Sequence, residues 1–192
     1  MTKAIRFHQV GGPEVLVYED VDVGAPGEGQ ARVKQNAIGL NFIDTYHRSG
    51  LYPLPLPSGL GLEGAGVVDA VGPGVDYLEP GDRVAYAGGA PGSYSELRLV
   101  AADRLVKIPE GITDQQAAAM MLKGLTVQYL IRRTFRVQAG QTVLFHAAAG
   151  GVGLIAGQWL KALGATTIGT VGSDEKAKLA QAHGYDHTIV YT

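Results

Sequence analysis

The stretch Gln141–Lys161, QTVLFHAAAGGVGLIAGQWLK, decides the fold of the second half of this chain. Thr142–Phe145 is a short apolar run, typical of a parallel strand that helices cover on both faces. Residues 147–153 then turn the chain sharply, and an apolar helix follows until Gly164 ends it. The stretch therefore predicts a buried strand, a glycine-rich turn and the start of a helix.

A turn of this kind favours a bound pyrophosphate. Gly150 lets the backbone approach phosphate oxygens, and Gly153 lets the helix lie close to the strand. The free N–H groups and the dipole of the helix start favour anionic oxygens. Ala148 replaces the first glycine of the G-x-G-x-x-G fingerprint, so a close-packed turn that binds nothing stays an alternative. The predicted phosphate contacts are Ala149, Gly150, Gly151, Val152 and Gly153.

A second unit of the same kind follows. The sequence predicts a strand over Thr166–Val171, a helix over Asp174–His183 and a strand over Thr188–Tyr191. The order β-α-β-α-β is one half of a doubly wound parallel sheet. Such a sheet needs further strands beside the first one, so we expect the chain to be a fragment of a longer enzyme. The inner edge of the first strand would then be uncovered.

The first part of the chain predicts an antiparallel β domain. Residues 31–37 alternate apolar and polar side chains, as a half-buried strand does, and glycine-rich turns separate the later apolar runs. The sequence changes character at Pro109, and Thr113–Gln116 matches a capping box that starts a helix. We expect a helix break near Gly124. It divides a first domain, residues 1–123, from a second, residues 124–192.

Composition excludes several classes of function. The chain has 192 residues, of which 46% are hydrophobic, a net charge of −2 and no cysteine. A net charge this low gives no electrostatic reason to expect a nucleic-acid or anionic-membrane partner. No apolar run approaches the length of a membrane span. Thiolate catalysis and thiolate-bound zinc are excluded, and a cytoplasmic enzyme is the default expectation.

Three stretches carry a resemblance to a known family. They are Leu144–Lys161, with its paired alanines, glycine turn, Gln158 and Lys161; Asn41–Pro53; and Leu122–Thr126. In these residues the chain resembles the quinone oxidoreductase/ζ-crystallin branch of the zinc-free medium-chain dehydrogenases. The resemblance runs from the first strand to the last residue. It implies an α/β protein in which a GroES-like antiparallel β domain precedes the first half of a Rossmann sheet.

The resemblance also implies a function and a substrate site. The implied enzyme is a zinc-independent oxidoreductase that transfers hydride from NADPH to a small quinone between two domains. Where zinc-dependent relatives bind their metal with cysteine and histidine, this chain has Asn41 and Leu62, so we expect no metal. The resemblance assigns Asn41, Tyr46, Tyr52 and Thr126 to the nicotinamide and quinone cleft. The residues alone leave open that the tyrosines pack a loop and that Asn41 caps a helix.

The end of the second strand bears on the choice of cofactor. Sites for NAD usually place a carboxylate there, whereas this chain has Gly172 and Ser173, with Lys176 one turn later. A missing carboxylate and an added cation accommodate a 2′-phosphate and favour NADPH. Ser173 could instead cap the helix and Lys176 could be a solvated surface charge. The resemblance places Tyr191 beside the same phosphate.

Two other functions stay open. The same glycine turn would serve an NADPH-dependent enal or enone reductase of the same superfamily. The chain could also be a nucleotide-binding or structural module without catalysis, because an incomplete sheet would bind only part of the cofactor. We expect this chain to be inactive by itself, and a homo-oligomer stays open.

Overall fold

The computed structural model describes residues 1–191, and the chain folds into two compact units, Met1–Leu122 and Lys123–Thr192. The first unit consists mainly of β-strands. Its strands and its first helix are β1 (Thr2–Phe7), β2 (Leu16–Val21), β3 (Gln30–Gly39), α1 (Phe42–Ser49), β4 (Ser58–Gly59), β5 (Glu63–Val71), β6 (Arg83–Ala87), β7 (Leu97–Ala101) and β8 (Val106–Lys107). Short 3-10 turns cover Pro13–Val15 and Ala102–Arg104.

Two antiparallel sheets form the first unit. One has the strand order β7-β3-β5-β6-β8 and the other the order β2-β1-β4. The alternation predicted for residues 31–37 is present in β3, where Ala31 and Val33 are fully buried. Those side chains pack with Val68, Val84 and other apolar residues of the neighbouring strands. Alternation with a period of two thus gives the sheet one face in the core.

The second unit contains a parallel sheet with helices. Its strands and helices are β9 (Thr142–Phe145), α3 (Gly151–Ala162), β10 (Thr166–Val171), α4 (Asp174–Ala182) and β11 (His187–Val190). The strand order is β11-β10-β9, and both pairings are parallel. The predicted fold class, an antiparallel β domain followed by a Rossmann-type β-α-β-α-β half, is confirmed. Within residues 1–191, no helix is both long enough and apolar enough to cross a membrane.

The helix break predicted near Gly124 is wrong. Helix α2 runs without interruption over Asp114–Tyr129, and a π-helical turn follows over Leu130–Thr134. A glycine inside a helix costs only about 1 kcal/mol relative to alanine. The buried side chains of Val127 and Ile131, which pack against α3, offset that cost.

Strand β9 is less buried than the sequence predicts. Val143 and Phe145 pack into the core below α3, but Leu144 is 54% exposed. Within the described residues β9 pairs with β10 alone and is therefore an edge strand. One face of this strand is covered and the other is not.

Candidate functional site

The turn between β9 and α3 is held by its own backbone. Ala147 has a left-handed φ of 54°, and its carbonyl accepts a 2.8 Å hydrogen bond from the N–H of Gly150. The N–H of Ala148 donates to the carbonyl of Thr170 on β10 at 3.1 Å. These bonds fix the turn to the neighbouring strand. Gly150 is the N-cap residue of α3, so the first free N–H groups of the helix follow it directly.

The glycines of this turn have different roles. A Cβ on Gly153 would lie 2.5 Å from the carbonyl oxygens of Ala147 and Ala148, which is too close for any side chain. A Cβ on Gly150 would lie 3.1 Å from the same oxygen of Ala147, and one on Gly151 would meet only the flexible side chain of Lys123. Gly153 is therefore required for close packing of α3 on the turn. Gly150 leaves the front of the turn open, whereas the Lys123 side chain lies against Gly151.

The start of α3 can bind an anion. No acidic residue lies in its first turn. Val152 packs its side chain into the core, so it can offer only its backbone N–H to a ligand. The N–H groups of Gly151, Val152 and Gly153 are the unpaired donors of the helix start, and the helix dipole adds partial positive charge there. An anionic group in front of this turn is stabilised by both.

A cavity of about 150 Å³ opens beside the turn. The residues that line it come from the turn, the end of β10, helix α4 and the end of β11, namely Ala147, Ala149, Gly150, Val171, Gly172, Lys176 and Tyr191. Five residues that the sequence assigned to the cofactor are therefore brought together here. The other four lie beside the cavity, three of them in the first turn of α3 and one, Ser173, at the start of α4.

The cavity fits a phosphate group. Its lining offers the ammonium of Lys176 and the hydroxyl of Tyr191, and no carboxylate belongs to it. Tyr191 is held there by a 3.1 Å hydrogen bond from its N–H to the carbonyl of Val171. A Cβ on Gly172 would come within 3.4 Å of the Tyr191 hydroxyl, so a larger residue would crowd this space. The Lys176 ammonium and the Tyr191 hydroxyl can both donate hydrogen bonds to phosphate oxygens, and Gly172 has no side chain that would fill the space.

Ser173 acts as a helix cap, which was one of the alternatives from the sequence. Its hydroxyl accepts a 3.3 Å hydrogen bond from the N–H of Lys176. Backbone and Ser173 hydrogen bonds lower the pKa of the Glu175 carboxyl in the same turn. The cap sets the direction of α4, and this brings the Lys176 side chain to the cavity.

In the first unit, Asn41 is tied to a buried carboxylate. Its Nδ2 donates to Glu63 Oε2 at 2.7 Å, and Glu63 Oε1 accepts from the N–H of Leu122 at 2.8 Å. Glu63 is fully buried and Asn41 nearly so. Gly39 gives this carboxylate its room, since a Cβ there would lie 2.3 Å from Glu63 Oε2. Asn41 also occupies the N-cap position of α1, where its N–H donates to Asp44 Oδ2 at 3.0 Å.

The two predicted tyrosines of the substrate side lie together. The ring centroids of Tyr46 and Tyr52 are 5.3 Å apart, and Phe42 contacts Tyr46 edge-on at 5.3 Å. Tyr52 is 49% exposed. The ring contacts agree with the alternative that these aromatics pack a loop, and their part in a substrate cleft stays a prediction. Thr126 lies on α2 in the second unit.

A second buried carboxylate borders Asn41. Asp44 Oδ2 accepts a 2.9 Å hydrogen bond from the Tyr94 hydroxyl. Burial and the Asp44 carboxylate raise the pKa of Tyr94, so its hydroxyl stays a donor. Both residues and Asn41 line a cavity of about 210 Å³. Sequence reasoning missed Glu63 and Tyr94; the signal for Glu63 was a charged residue at the start of a strand whose next five residues are all apolar.

Within residues 1–191, no group of three or more histidine, aspartate or glutamate side chains is arranged to hold a metal ion. The two positions matched to metal ligands, Asn41 and Leu62, provide an amide committed to Glu63 and an aliphatic side chain.

Comparison with known proteins identifies two sequence families. Residues 27–110 match the family described as "Alcohol dehydrogenase GroES-like domain", and residues 151–192 match "Zinc-binding dehydrogenase". A quinone oxidoreductase of Pseudomonas aeruginosa is 61% identical over the whole chain, which covers 59% of that relative. A 2-haloacrylate reductase of Burkholderia sp is 47% identical and is covered to 60%.

Solved structures agree with the sequence relatives. The Escherichia coli quinone oxidoreductase complexed with NADPH is 53% identical, with a TM-score of 0.96 over 98% of this chain and 58% of that chain. The chain thus spans about 59% of the length of the curated relatives that it matches. Identity over the whole chain, both family matches and the shared fold lead to one conclusion. Throughout its length the chain is similar in sequence and in fold to quinone oxidoreductases.

Proposed function

We propose that the protein is an NADPH:quinone oxidoreductase. In it, residues 1–123 would form the substrate domain and residues 124–192 the first half of the nucleotide-binding domain. The observation that carries the proposal is the cavity where Gly150, Gly172, Lys176 and Tyr191 meet. When bound, NADPH supplies a hydride, and the quinone takes up that hydride and one proton to become a hydroquinone.

Different residues of the second unit would bind different groups of the cofactor. The N–H groups at the start of α3 bind the pyrophosphate, and Gly150 leaves room for it. Lys176 and Tyr191 bind the 2′-phosphate, and Gly172 stands where an NAD site would have a carboxylate. Discrimination between NADPH and NADH would therefore depend on the positive charge of Lys176 beside the 2′-phosphate.

The test of cofactor choice is Lys176→Met, with Lys178→Met as the control, since Lys178 is an exposed lysine of the same helix that does not line the cavity. A charge-assisted contact to phosphate contributes about 1.5–3 kcal/mol, so Lys176→Met should weaken NADPH binding roughly ten- to a hundredfold. NADH binding should not change, and Lys178→Met should bind both cofactors as the unmodified chain does. Equal loss of NADPH and NADH affinity would contradict the assignment.

On the substrate side, we propose that Asn41, Tyr46, Tyr52 and Thr126 line the nicotinamide and quinone cleft. Glu63 fixes the amide of Asn41, because a carboxylate can accept but not donate a hydrogen bond. Tyr46 and Tyr52 offer flat apolar faces, which suit a quinone ring. No metal is needed in this scheme, since the residues position the two reactants for direct transfer.

An enal or enone reductase is the second candidate, and the 2-haloacrylate reductase among the relatives favours it. Full-length protein should be assayed for NADPH oxidation with benzoquinone and with a 2-alkenal. We expect faster turnover with the quinone. A protein that is inert to quinones but fast on the alkenal would overturn the first proposal and support the second.

A nucleotide-binding module without catalysis is the third candidate, for this chain alone. The open edge of β9 motivates it, because no further strand flanks the phosphate turn within the described residues. We expect the 192-residue chain to bind NADPH weakly and to reduce no quinone. Trp159 on α3 packs beside the core of the second unit, so its fluorescence provides a binding signal. Robust quinone turnover by this chain would contradict the expectation.

A further inference from the structure

Tyr185 is a buried aromatic residue that sequence reasoning did not single out. It follows α4 and is only 3% exposed. Its hydroxyl donates a 2.9 Å hydrogen bond to the carbonyl of Gly153, which lies 32 residues earlier, in the first turn of α3. The ring thus connects the loop before β11 with the start of the helix that carries the candidate anion site.

Two glycines leave the space that the Tyr185 ring occupies. A Cβ on Gly157 of α3 would lie 2.5 Å from the ring, and one on Gly169 of β10 would lie 2.9 Å from it. Neither distance is possible for a real side chain. Helix and strand therefore both lack side chains where they face this ring. The ring is held from two sides, and this fixes the direction of its hydroxyl.

The contact lies directly behind the phosphate turn. Tyr185 packs in one cluster with Ala148 of the turn and with Val171, the last residue of β10. The acceptor of its hydrogen bond, Gly153, is the residue that packs most tightly on the carbonyls of Ala147 and Ala148. A shift of the first turn of α3 would have to break this hydrogen bond or displace the ring.

The chemistry of the contact suits a permanent support. Burial raises the pKa of the Tyr185 hydroxyl to about 12. The group is therefore protonated at neutral pH, and a carbonyl oxygen can only accept a hydrogen bond. Tyr185 does not line the cavity that holds Lys176 and Tyr191. Any effect on a ligand must act through the turn.

We propose that Tyr185 is a positioning residue for the pyrophosphate-binding turn. Its hydroxyl holds the first turn of α3 so that the N–H groups of Gly151, Val152 and Gly153 face the pyrophosphate. This inference rests on the proposed function of the second unit as an NADPH-binding domain. Tyr185 would contact no part of the cofactor, and it would affect the affinity for the pyrophosphate through the position of the turn.

The test is Tyr185→Phe, which keeps the ring and removes the hydroxyl, in the 192-residue chain. Tyr77→Phe in the first unit is the matched control. Affinities for NADPH, NADH and adenosine 2′-monophosphate are measured by Trp159 fluorescence. We expect Tyr185→Phe to weaken NADPH and NADH about three- to tenfold, as loss of one hydrogen bond predicts. Adenosine 2′-monophosphate, which has no pyrophosphate, should bind unchanged.

The pattern over three ligands separates the possible results. Unchanged NADPH affinity in Tyr185→Phe would overturn the inference. Equal weakening of all three ligands would also overturn it, because it would indicate a general structural role. An unmodified chain that binds neither dinucleotide would contradict the proposed role of the second unit in cofactor binding, before any variant is compared. Lys176→Met gives the opposite pattern, with loss of NADPH and adenosine 2′-monophosphate and unchanged NADH.

Discussion

Gly150 and Gly153 lie in the same turn, but a Cβ added to each glycine would have different neighbours. We predict that Gly153→Ala destabilises the chain by about 1–3 kcal/mol, because its Cβ would press on two backbone oxygens that cannot move independently. Gly150→Ala should cost less than about 1 kcal/mol, since the new Cβ makes one tight contact at an N-cap position. Urea denaturation of both variants measures the difference. Equal costs would show that the turn can relax around Gly153.

In the hydrogen bond between Asn41 and Glu63, the amide donor and the carboxylate acceptor can be exchanged by two substitutions, Asn41→Asp and Glu63→Gln. In Glu63→Gln a side-chain NH₂ would face either the Asn41 amide or the N–H of Leu122, both of which now donate to Glu63, at a cost of about 1–3 kcal/mol. Asn41→Asp would set two carboxylates against each other. In the double variant the new amide donates to the new carboxylate, and its oxygen still accepts from the N–H of Leu122.

We therefore expect the double variant to be more stable than the sum of the two single changes by at least about 1 kcal/mol. Denaturation of the four proteins gives this coupling energy. Additive losses would mean that the hydrogen bond between Asn41 and Glu63 contributes little. If Asn41 contacts the nicotinamide or quinone through its amide, quinone reduction by full-length protein should stay low although folding recovers.

At the scale of secondary-structure elements, Asp114 begins α2 and links it to two strands of the first unit. Its carboxylate accepts from Asn36 of β3 at 2.8 Å and pairs with Arg83 of β6 at 2.6 Å. The Asn36 hydrogen bond, and after it Arg83, lower the pKa of the Asp114 carboxyl. Because the folded pKa lies below the unfolded one, the stabilisation is present above the unfolded value, about 3.9, and is lost as the pH falls through the folded value.

We predict that Asp114→Asn lowers stability at pH 7 and flattens the loss of stability below about pH 4. The exposed carboxylate of Asp76 provides the control variant, Asp76→Asn, which removes a charge without breaking this ion pair. Denaturation between pH 2 and pH 7 measures both profiles. Parallel profiles for the unmodified chain and Asp114→Asn would contradict the prediction.

The elements could be predicted where local signals agree. The bounds of β9 and β10 coincide with the apolar runs in the sequence, because Gly140 and Gly164 precede them with left-handed φ angles of 80° and 76°. Gly184, with φ of 101°, likewise follows the end of α4. The helix break predicted near Gly124 was wrong because tertiary packing outweighed the low helix propensity of glycine.

The candidate site could be predicted in part for a related reason. Gly150, Gly172 and Tyr191 follow three parallel strands, and the carboxyl ends of such strands meet at one edge of the sheet. Glu63 and Tyr185 could not be found in this way. Their partners, Leu122 and Gly153, lie 59 and 32 residues away, and no local pattern encodes such contacts.

At the scale of the whole molecule, one edge of the parallel sheet lies next to the candidate cofactor site. Strand β9 carries the phosphate turn and, within residues 1–191, pairs on one side only. Unpaired N–H and C=O groups on an exposed, apolar edge favour pairing between molecules. We predict that the 192-residue chain associates as its concentration rises.

Leu144→Lys should reduce this association, because a charge on an exposed edge strand opposes pairing. Leu179→Lys is the control, since Leu179 is also an exposed leucine of the second unit but lies on α4. Sedimentation at several concentrations measures the effect. Association that Leu179→Lys reduces as much as Leu144→Lys does would point to general surface charge instead of the strand edge.

The edge position of β9 also has a consequence for amide hydrogen exchange. Alternate N–H groups of a strand point to opposite sides, so half of those in β9 face β10 and half face away from it. Exchange along Thr142–Phe145 should therefore alternate between slow and fast, while the amides of β10, which has a partner on each side, should all be slow. The strand that leads into the phosphate turn would thus contain fast-exchanging amides next to the site, and bound nucleotide should slow their exchange.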